Sequence, residues 1–172
     1  MSEHGYSLCI TDTKGSHADL TDEYAAVPME MKNIAKHFYK KVLRDVDYLS
    51  VLKAIPELRE KYGDRSVLRA LHFFNENERV QKEVNALKDK DISLFLENVK
   101  ASGDSSFKYL QNVYSGNDIE NQNISVALMM SDISLKEEGV SRVHGGGFAG
   151  TIQAFVKNEY VESYKILMDN VF

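Results

Sequence analysis

The spacing of apolar residues predicts helices that lie between strands near the two ends of the chain. Residues 6–12 alternate between polar and apolar side chains, which is typical of a strand. Apolar side chains then recur every three or four residues over longer stretches, which favours helices that pack on one side. Four such stretches predict helices, at residues 24–39, 64–87, 91–101 and 158–172, and residues 124–135 are apolar enough to predict a further buried helix.

A second strand pattern surrounds the glycine-rich stretch in the last third of the chain. Residues 140–156 carry β-branched and aromatic residues on both sides of a glycine cluster, which predicts two strands joined by a turn. Helices together with two or three strands near the chain ends predict an α+β fold. The length of 172 residues favours a single domain, residues 1–172.

Polar residues and one proline predict the helix ends. Pro28 is compatible with a helix that begins near residue 26 or 27, since proline is tolerated in a first turn. Asp64 or Ser66 is expected to cap the second helix, and Asn158 the last one. Ser102-Gly103 is expected to end the third helix. The inward stripe of the second helix is expected to contain Val67, Leu71, Phe74, Val80, Val84 and Leu87.

Composition and charge exclude several classes of protein. The net charge is -5, and lysine and arginine are scattered among acids, which argues against a nucleic-acid partner. Cys9 is the single cysteine and cannot form an internal disulfide, so a reducing cytoplasmic location is expected. No apolar stretch reaches the length of a membrane span, and no signal peptide is recognised at the N-terminus.

The glycine cluster is the strongest candidate for a functional element. Gly145, Gly146, Gly147 and Gly150 fall within six residues, and so many glycines raise the backbone entropy cost of folding. Either the turn needs positive φ angles, or another group approaches the main chain too closely for a Cβ. A phosphate or a sugar is one such group, because a nest of N–H groups binds anions. A bulged hairpin turn packed on a helix is the alternative, and the spacing matches neither a P-loop nor a dinucleotide fingerprint.

Other polar residues are weaker candidates. His72 and Glu76 lie four residues apart on a predicted helix, a pair that is far more often structural than metal-binding. His17 and His144 flank loop-like regions, where each is either a ligand contact or a hydrogen-bonded loop histidine. Tyr24 stands at a loop-to-helix junction and either offers its hydroxyl to a ligand or belongs to the core.

With its flanks, the glycine cluster resembles the third signature motif of the GHMP kinases, in the form found in galactokinases. That pattern reads approximately Ser/Ala-Arg-Met-Thr-Gly-Gly-Gly-Phe-Gly-Gly, and this chain has Ser141-Arg-Val-His-Gly-Gly-Gly-Phe-Ala-Gly150. Val143, His144 and Ala149 replace the commoner residues. Ala149 adds a methyl group at a position where the turn is expected to require positive φ.

Two further stretches agree with galactokinases, in the same order along the chain. Residues 6–24 end in Asp22-Glu-Tyr24, which resembles the family's strand followed by a Ser/Asp-Glu-Tyr element. Residues 69–79 resemble the family helix that contains Arg-x-x-His and Glu-Asn-x-Arg. The similarity therefore extends over nearly the whole chain.

The resemblance implies a fold, a reaction and a few site residues. The family's C-terminal domain is a small antiparallel sheet packed against several helices. The complete enzyme would transfer the γ-phosphate of ATP, bound with Mg²⁺, to the C1 hydroxyl of galactose. Tyr24 matches a tyrosine that contacts the sugar, and Gly145, Gly146, Gly147 and Phe148 match the loop beside the sugar and phosphates. Backbone amides of that loop would help to hold developing charge.

The same resemblance implies that this chain lacks part of the machinery. The family's N-terminal sugar motif, its phosphate loop and its catalytic aspartate are not found in the sequence, so no catalytic and no metal-binding residue is assigned. The chain alone is therefore expected to be inactive. Alternatives are a sugar-sensing or regulatory module and a related kinase acting on arabinose or N-acetylgalactosamine. An uncovered apolar half-cleft around the glycine loop would promote self-association.

Overall fold

The computed structural model describes residues 1–16 and 18–172, and it contains a three-stranded antiparallel sheet. The strands are β1, Tyr6–Asp12; β2, Gly139–Val143; and β3, Thr151–Lys157. Strand β3 lies in the middle, with β1 and β2 at the two edges. Ala154 is paired with Cys9 on one side and with Ser141 on the other. The first strand and the strand–turn–strand unit predicted from the sequence are therefore confirmed.

Seven α-helices in the described residues accompany this sheet, which confirms the α+β class. They are α1, Thr21–His37; α2, Tyr48–Lys53; α3, Ile55–Tyr62; α4, Asp64–Lys88; α5, Ile92–Ser105; α6, Asn123–Leu135; and α7, Val161–Val171. Short 3₁₀ turns occupy Ser2–His4, Leu43–Asp45 and Asn158–Tyr160, and a π-helical turn occupies Ser106–Leu110. No helix among these residues is long and apolar enough to cross a membrane.

Helix α1 begins earlier than the proline led us to expect. It starts at Thr21, so Pro28 lies inside the helix rather than in its first turn. Asp22 and Glu23 occupy the first turn, where their charges interact favourably with the helix dipole. Pro28 removes only the N–H that would donate to the carbonyl four residues earlier, and the buried Ile34 and Ala35 hold the helix to its neighbours.

The expected caps of α4 and of the last helix are wrong. Gly63, which has no side chain, occupies the N-cap position of α4, and Asp64 accepts a hydrogen bond from Arg59 (2.6 Å). Ser66 donates instead to the carbonyl of Tyr62 (2.8 Å). Asn158 lies in a 3₁₀ turn and accepts a hydrogen bond from the Ser7 hydroxyl (2.9 Å), so α7 begins only at Val161.

Helix α5 continues past the Ser102-Gly103 pair that was expected to end it. Gly103 lies within the helix, where it allows α5 to approach β2 closely. A Cβ on Gly103 would lie 2.9 Å from the Cβ of Arg142 and 3.2 Å from the carbonyl oxygen of Ser141. This glycine is therefore required by helix–strand packing and not by a helix end. Two short helices, α2 and α3, were not predicted because each spans too few residues to show a clear apolar period.

The core has a main cluster on each face of the sheet and a further one away from it. Ile152, Ala154 and Val156 of β3 pack with α6 and α7, whereas Phe155 faces α5 and meets Phe95 with a ring-centroid distance of 5.2 Å. The separate cluster joins α1, α3 and α4. Part of the stripe expected to be buried on α4 is exposed, because the C-terminal half of α4 turns Ala86 towards α5. The exposed members are Val80, Val84 and Leu87.

Candidate functional site

The glycine loop, residues 144–150, joins β2 to β3 and has an unusual backbone. Gly145, Gly147 and Gly150 have φ angles of 69°, 79° and 95°. Phe148 is also left-handed, with φ of 60°, whereas Ala149 is not. The expectation that Ala149 would occupy a positive-φ position is therefore wrong. A phenylalanine in this region costs about 1–2 kcal/mol, so surrounding contacts must hold it there.

Two of the glycines are required because other parts of the protein approach them. A Cβ on Gly147 would lie 1.9 Å from the carbonyl oxygen of Asn112, and one on Gly146 would lie 2.9 Å from the Tyr24 ring. A Cβ on Gly145 would meet nothing within 4 Å, so only its positive φ favours glycine there. Close packing within the chain thus accounts for Gly146 and Gly147 without a ligand.

Tyr24, at the start of α1, lies against this loop. Its hydroxyl donates a hydrogen bond to the carbonyl of Gly147 (2.7 Å), and its ring meets Phe148 edge-on at 5.4 Å. Burial raises the pKa of the Tyr24 hydroxyl, which keeps it a neutral donor at physiological pH. The residues proposed from the sequence, Tyr24 and Gly145 to Phe148, are therefore brought together. Their roles in ligand binding stay predictions.

Asn112 is a neighbour of the loop that the sequence did not reveal. Its carbonyl accepts a hydrogen bond from the N–H of Phe148 (2.6 Å), and its side-chain amide donates to the carbonyl of Gly146 (3.1 Å). Asn112 follows Gln111, a left-handed residue with φ of 57°. A lone asparagine carries no motif, so no sequence signal pointed to this position.

A buried ion pair holds the segment that carries Asn112. Arg69 is fully buried; its Nε donates to the carbonyl of Leu110 (2.9 Å) and its Nη1 to Glu30 (3.0 Å). Glu30 also accepts from Arg65 (2.6 Å). Burial lowers the pKa of the Arg69 guanidinium, whereas the charge of Glu30 opposes that shift. The guanidinium stays charged and paired.

Chemically, this loop offers backbone donors rather than reactive side chains. Gly145 and Gly146 are exposed, and no hydrogen bond within the described residues uses their N–H groups. Such groups suit an anion or a sugar hydroxyl. No group of three or more histidine, cysteine, aspartate or glutamate side chains in the described residues is arranged to hold a metal ion.

The remaining histidine candidates take structural positions or lie outside the description. His72 Nδ1 shares a hydrogen bond with the Ser105 hydroxyl (2.8 Å), and Glu76 contacts Arg79 and Ser102. This arrangement matches the structural interpretation of the His72–Glu76 pair. His144 is exposed, with Nδ1 2.8 Å from Gln153 Oε1. His17 lies outside the described residues.

The buried His72 predicts a pH dependence of stability. Burial lowers its pKa, the nearby Arg79 and Arg142 lower it further, and the charge of Glu76 opposes them. The folded state therefore binds a proton less readily than the unfolded chain, whose histidine pKa is about 6.5. This contribution is fully present above that pH and is lost as the pH falls below it.

We therefore expect the free energy of unfolding to fall more steeply below about pH 6.5 in the wild type than in a His72→Asn variant. Asparagine can replace the hydrogen bond to Ser105 without titrating. Urea unfolding at a series of pH values measures the two slopes. Parallel curves for the two proteins would show that His72 is not responsible.

Comparisons with known proteins give a consistent assignment. No protein-family model matches the chain. The chain is 31% identical over 168 residues to a galactokinase of Actinobacillus pleuropneumoniae serotype 3 (strain JL03). It is also 31% identical over 168 residues to one of Mannheimia succiniciproducens, and 30% identical over 165 residues to one of Haemophilus influenzae (strain ATCC 51907 / DSM 11121 / KW20 / Rd). These alignments cover 95–97% of this chain, which spans only 41–42% of the length of those relatives.

The solved structures agree with the sequence comparison at the level of fold. The crystal structure of Lactococcus lactis galactokinase complexed with galactose matches with a TM-score of 0.72 and 21% identity. The match covers 97% of this chain and 41% of that one. The chain is therefore similar to galactokinases over nearly its whole length, and it spans less than half of theirs.

Proposed function

We propose that this chain forms the C-terminal half of a galactokinase site, in which the γ-phosphate of Mg-ATP passes to the C1 hydroxyl of galactose. The observation that supports this most is the packing of Tyr24 against the glycine loop. Both elements match the galactokinase pattern, and they are in contact although they lie more than 120 residues apart in sequence.

In this proposal the loop contributes geometry and backbone dipoles. Tyr24 contacts the sugar, and the exposed N–H groups of Gly145 and Gly146 face the sugar and phosphates. Phe148 closes the base of the loop against Tyr24. Preorganised amides of this kind stabilise developing charge without any proton transfer of their own.

The chain needs a second half for turnover. Phosphoryl transfer relies on positioning and electrostatic stabilisation from both sides of a cleft. The phosphate loop, the catalytic aspartate and the residues that would hold Mg²⁺ have no counterpart in the sequence. They must come from another segment or another polypeptide. Self-association through an uncovered cleft and a cytoplasmic location stay predictions.

The first test is calorimetric titration of galactose, and separately of Mg-ATP, into the isolated chain. We expect no saturable heat with either ligand, because each would contact only half of its site. Saturable binding of galactose would contradict the half-site and favour the alternative, a self-sufficient sugar-sensing module. Saturable binding of Mg-ATP alone would also contradict it.

The second test restores the missing half. A chimera carries this chain in place of the matching part of the Actinobacillus pleuropneumoniae galactokinase. We expect it to form galactose 1-phosphate from Mg-ATP and galactose, and to stop when EDTA removes the metal. Parallel assays with arabinose and N-acetylgalactosamine separate the related kinases. A folded chimera that phosphorylates none of these sugars would contradict the proposal.

A further inference from the structure

Asn112 is a buried polar residue whose placement is not explained by stability alone. It is 3% exposed, and its Oδ1 has no hydrogen-bond partner within the described residues. A buried acceptor without a partner is unfavourable. An apolar side chain would avoid that cost, so the asparagine is expected to serve a purpose through its other atoms.

Those other atoms fix the two peptide planes at the centre of the glycine loop. The side-chain amide of Asn112 holds the carbonyl of Gly146, while its main-chain carbonyl holds the N–H of Phe148. From the other side, the Tyr24 hydroxyl holds the carbonyl of Gly147. The loop is therefore held between α1 and the segment that follows α5.

Because the peptide bond is planar, a contact that fixes the carbonyl also fixes the direction of the N–H in the same peptide. In a trans peptide the C=O and the following N–H point to opposite sides. Because Asn112 draws the carbonyl of Gly146 towards itself, the N–H of Gly147 points away from Asn112. Without the side-chain amide, this peptide plane could rotate, since glycine restricts φ and ψ very little.

The support of Asn112 is itself rigid. Gln111 is in the left-handed region, and the carbonyl of Leu110 is held by the buried Arg69. On the other side, the Ser115 hydroxyl donates to the buried Glu23 (2.9 Å). Glu23 is adjacent to Tyr24 in α1, so this helix contacts both the loop and the segment that carries Asn112.

We propose that Asn112 is a positioning residue that sets the orientation of the Gly146–Gly147 peptide, and thereby the direction of the Gly147 N–H in the loop beside the substrate. It acts through the loop and touches no reacting atom. The catalytic part of this inference rests on the proposed function, whereas its geometric part does not.

The geometric part is tested on the isolated chain by amide hydrogen exchange. Asn112→Ala removes the bond to Gly146, and Asn98→Ala is the matched control, because Asn98 is also a buried asparagine and donates only to Leu94 (2.7 Å) within α5. We expect protection of the Phe148 amide, which donates to the Asn112 carbonyl, to fall about tenfold in Asn112→Ala because the loop is less firmly held. We expect no change at this amide in Asn98→Ala. Equal protection in the two variants would overturn the proposal.

A conservative variant separates the hydrogen bond from simple packing. Asn112→Asp keeps the shape but loses the donor when the carboxyl is ionised. A protonated carboxyl donates again, and burial raises its pKa. We expect the loop protection factors of Asn112→Asp to recover as the pH falls from about 7.5 to about 5, and those of Asn112→Ala not to recover. Identical pH profiles for these two variants would contradict a role for the donor.

The kinetic part uses the chimera described above. We expect Asn112→Ala to lower kcat about 100-fold with little change in the KM for ATP, and Asn98→Ala to leave both unchanged. An unchanged kcat in an active chimera would overturn the positioning role. A chimera that is inactive with Asn112 intact would count against the proposed function only, since the exchange data still decide whether Asn112 orients the loop.

Discussion

A Gly147→Ala variant should unfold with a free energy roughly 2–5 kcal/mol lower than that of the wild type, and should lose most activity in the chimera. The new Cβ would lie 1.9 Å from the carbonyl oxygen of Asn112 and 2.7 Å from its side-chain nitrogen. Both the main chain and the side chain of Asn112 would clash with this Cβ, so the loop itself must move. The φ of 79° adds strain for any residue with a Cβ. Urea unfolding and the galactose 1-phosphate assay measure the two effects.

Gly63→Ala is the control that measures the cost of a Cβ at positive φ where the Cβ contacts nothing. Gly63 has a φ of 81°, close to that of Gly147, but a Cβ there would meet nothing within 4 Å. Its ψ of 160° places it in a region that is nearly restricted to glycine, so we expect this variant to lose about 1–3 kcal/mol and to retain kcat in the chimera. Equal losses in the two variants would mean that positive φ alone requires Gly147, and that the contact with Asn112 is unimportant.

The second large effect is expected at Arg69. Arg69→Met removes a fully buried guanidinium and leaves the carbonyl of Leu110 without its donor, while Glu30 keeps only Arg65 as a partner. Breaking a buried ion pair from one side costs about 3–5 kcal/mol, because the remaining charge is poorly compensated. Because Glu30 keeps its partly exposed contact with Arg65, we expect the loss of unfolding free energy to lie near the lower end of this range. Thermal or urea unfolding of the isolated chain measures it.

Arg59→Met provides the matched comparison at an exposed ion pair. Arg59 contacts Asp64 at 2.6 Å, but both side chains are more than half exposed. Surface pairs of this kind contribute little to stability, so no measurable change is expected. If Arg69→Met were as harmless as Arg59→Met, the proposed support of residues 110–115 by the buried pair would be wrong.

Local patterns in the sequence were sufficient for most of the elements. The alternation in β1, the apolar period of α4, the apolar composition of α6 and the glycine cluster between β2 and β3 each depend on neighbours within a few residues. Predictions that depended on more distant contacts were less successful. The end of α5 was misplaced at Gly103, because the helix needs that glycine to approach β2, more than 30 residues away.

The residues of the candidate site fall into the same two groups, those that belong to a local motif and those that only distant contacts place there. Its glycines, Phe148 and Tyr24 could be named from the resemblance, since each belongs to a recognisable motif. Leu110 could not, because it acts through its main-chain carbonyl, which is the same for every residue type. Asn112 could not, because a single asparagine belongs to no motif. Arg69 was noticed as part of a motif, yet nothing in the sequence indicated that its guanidinium holds the carbonyl of Leu110.

The sequence by itself thus determined the strands, the longer helices, the turn that requires glycine, and the relationship to galactokinases. These follow from short-range backbone preferences and from residues that recur at set positions. The tertiary structure alone decided which groups face the loop. A contact such as that of Tyr24 with Gly147 forms only when α1 and the β2–β3 turn are brought together by burial of Leu20, Phe148 and Ala149.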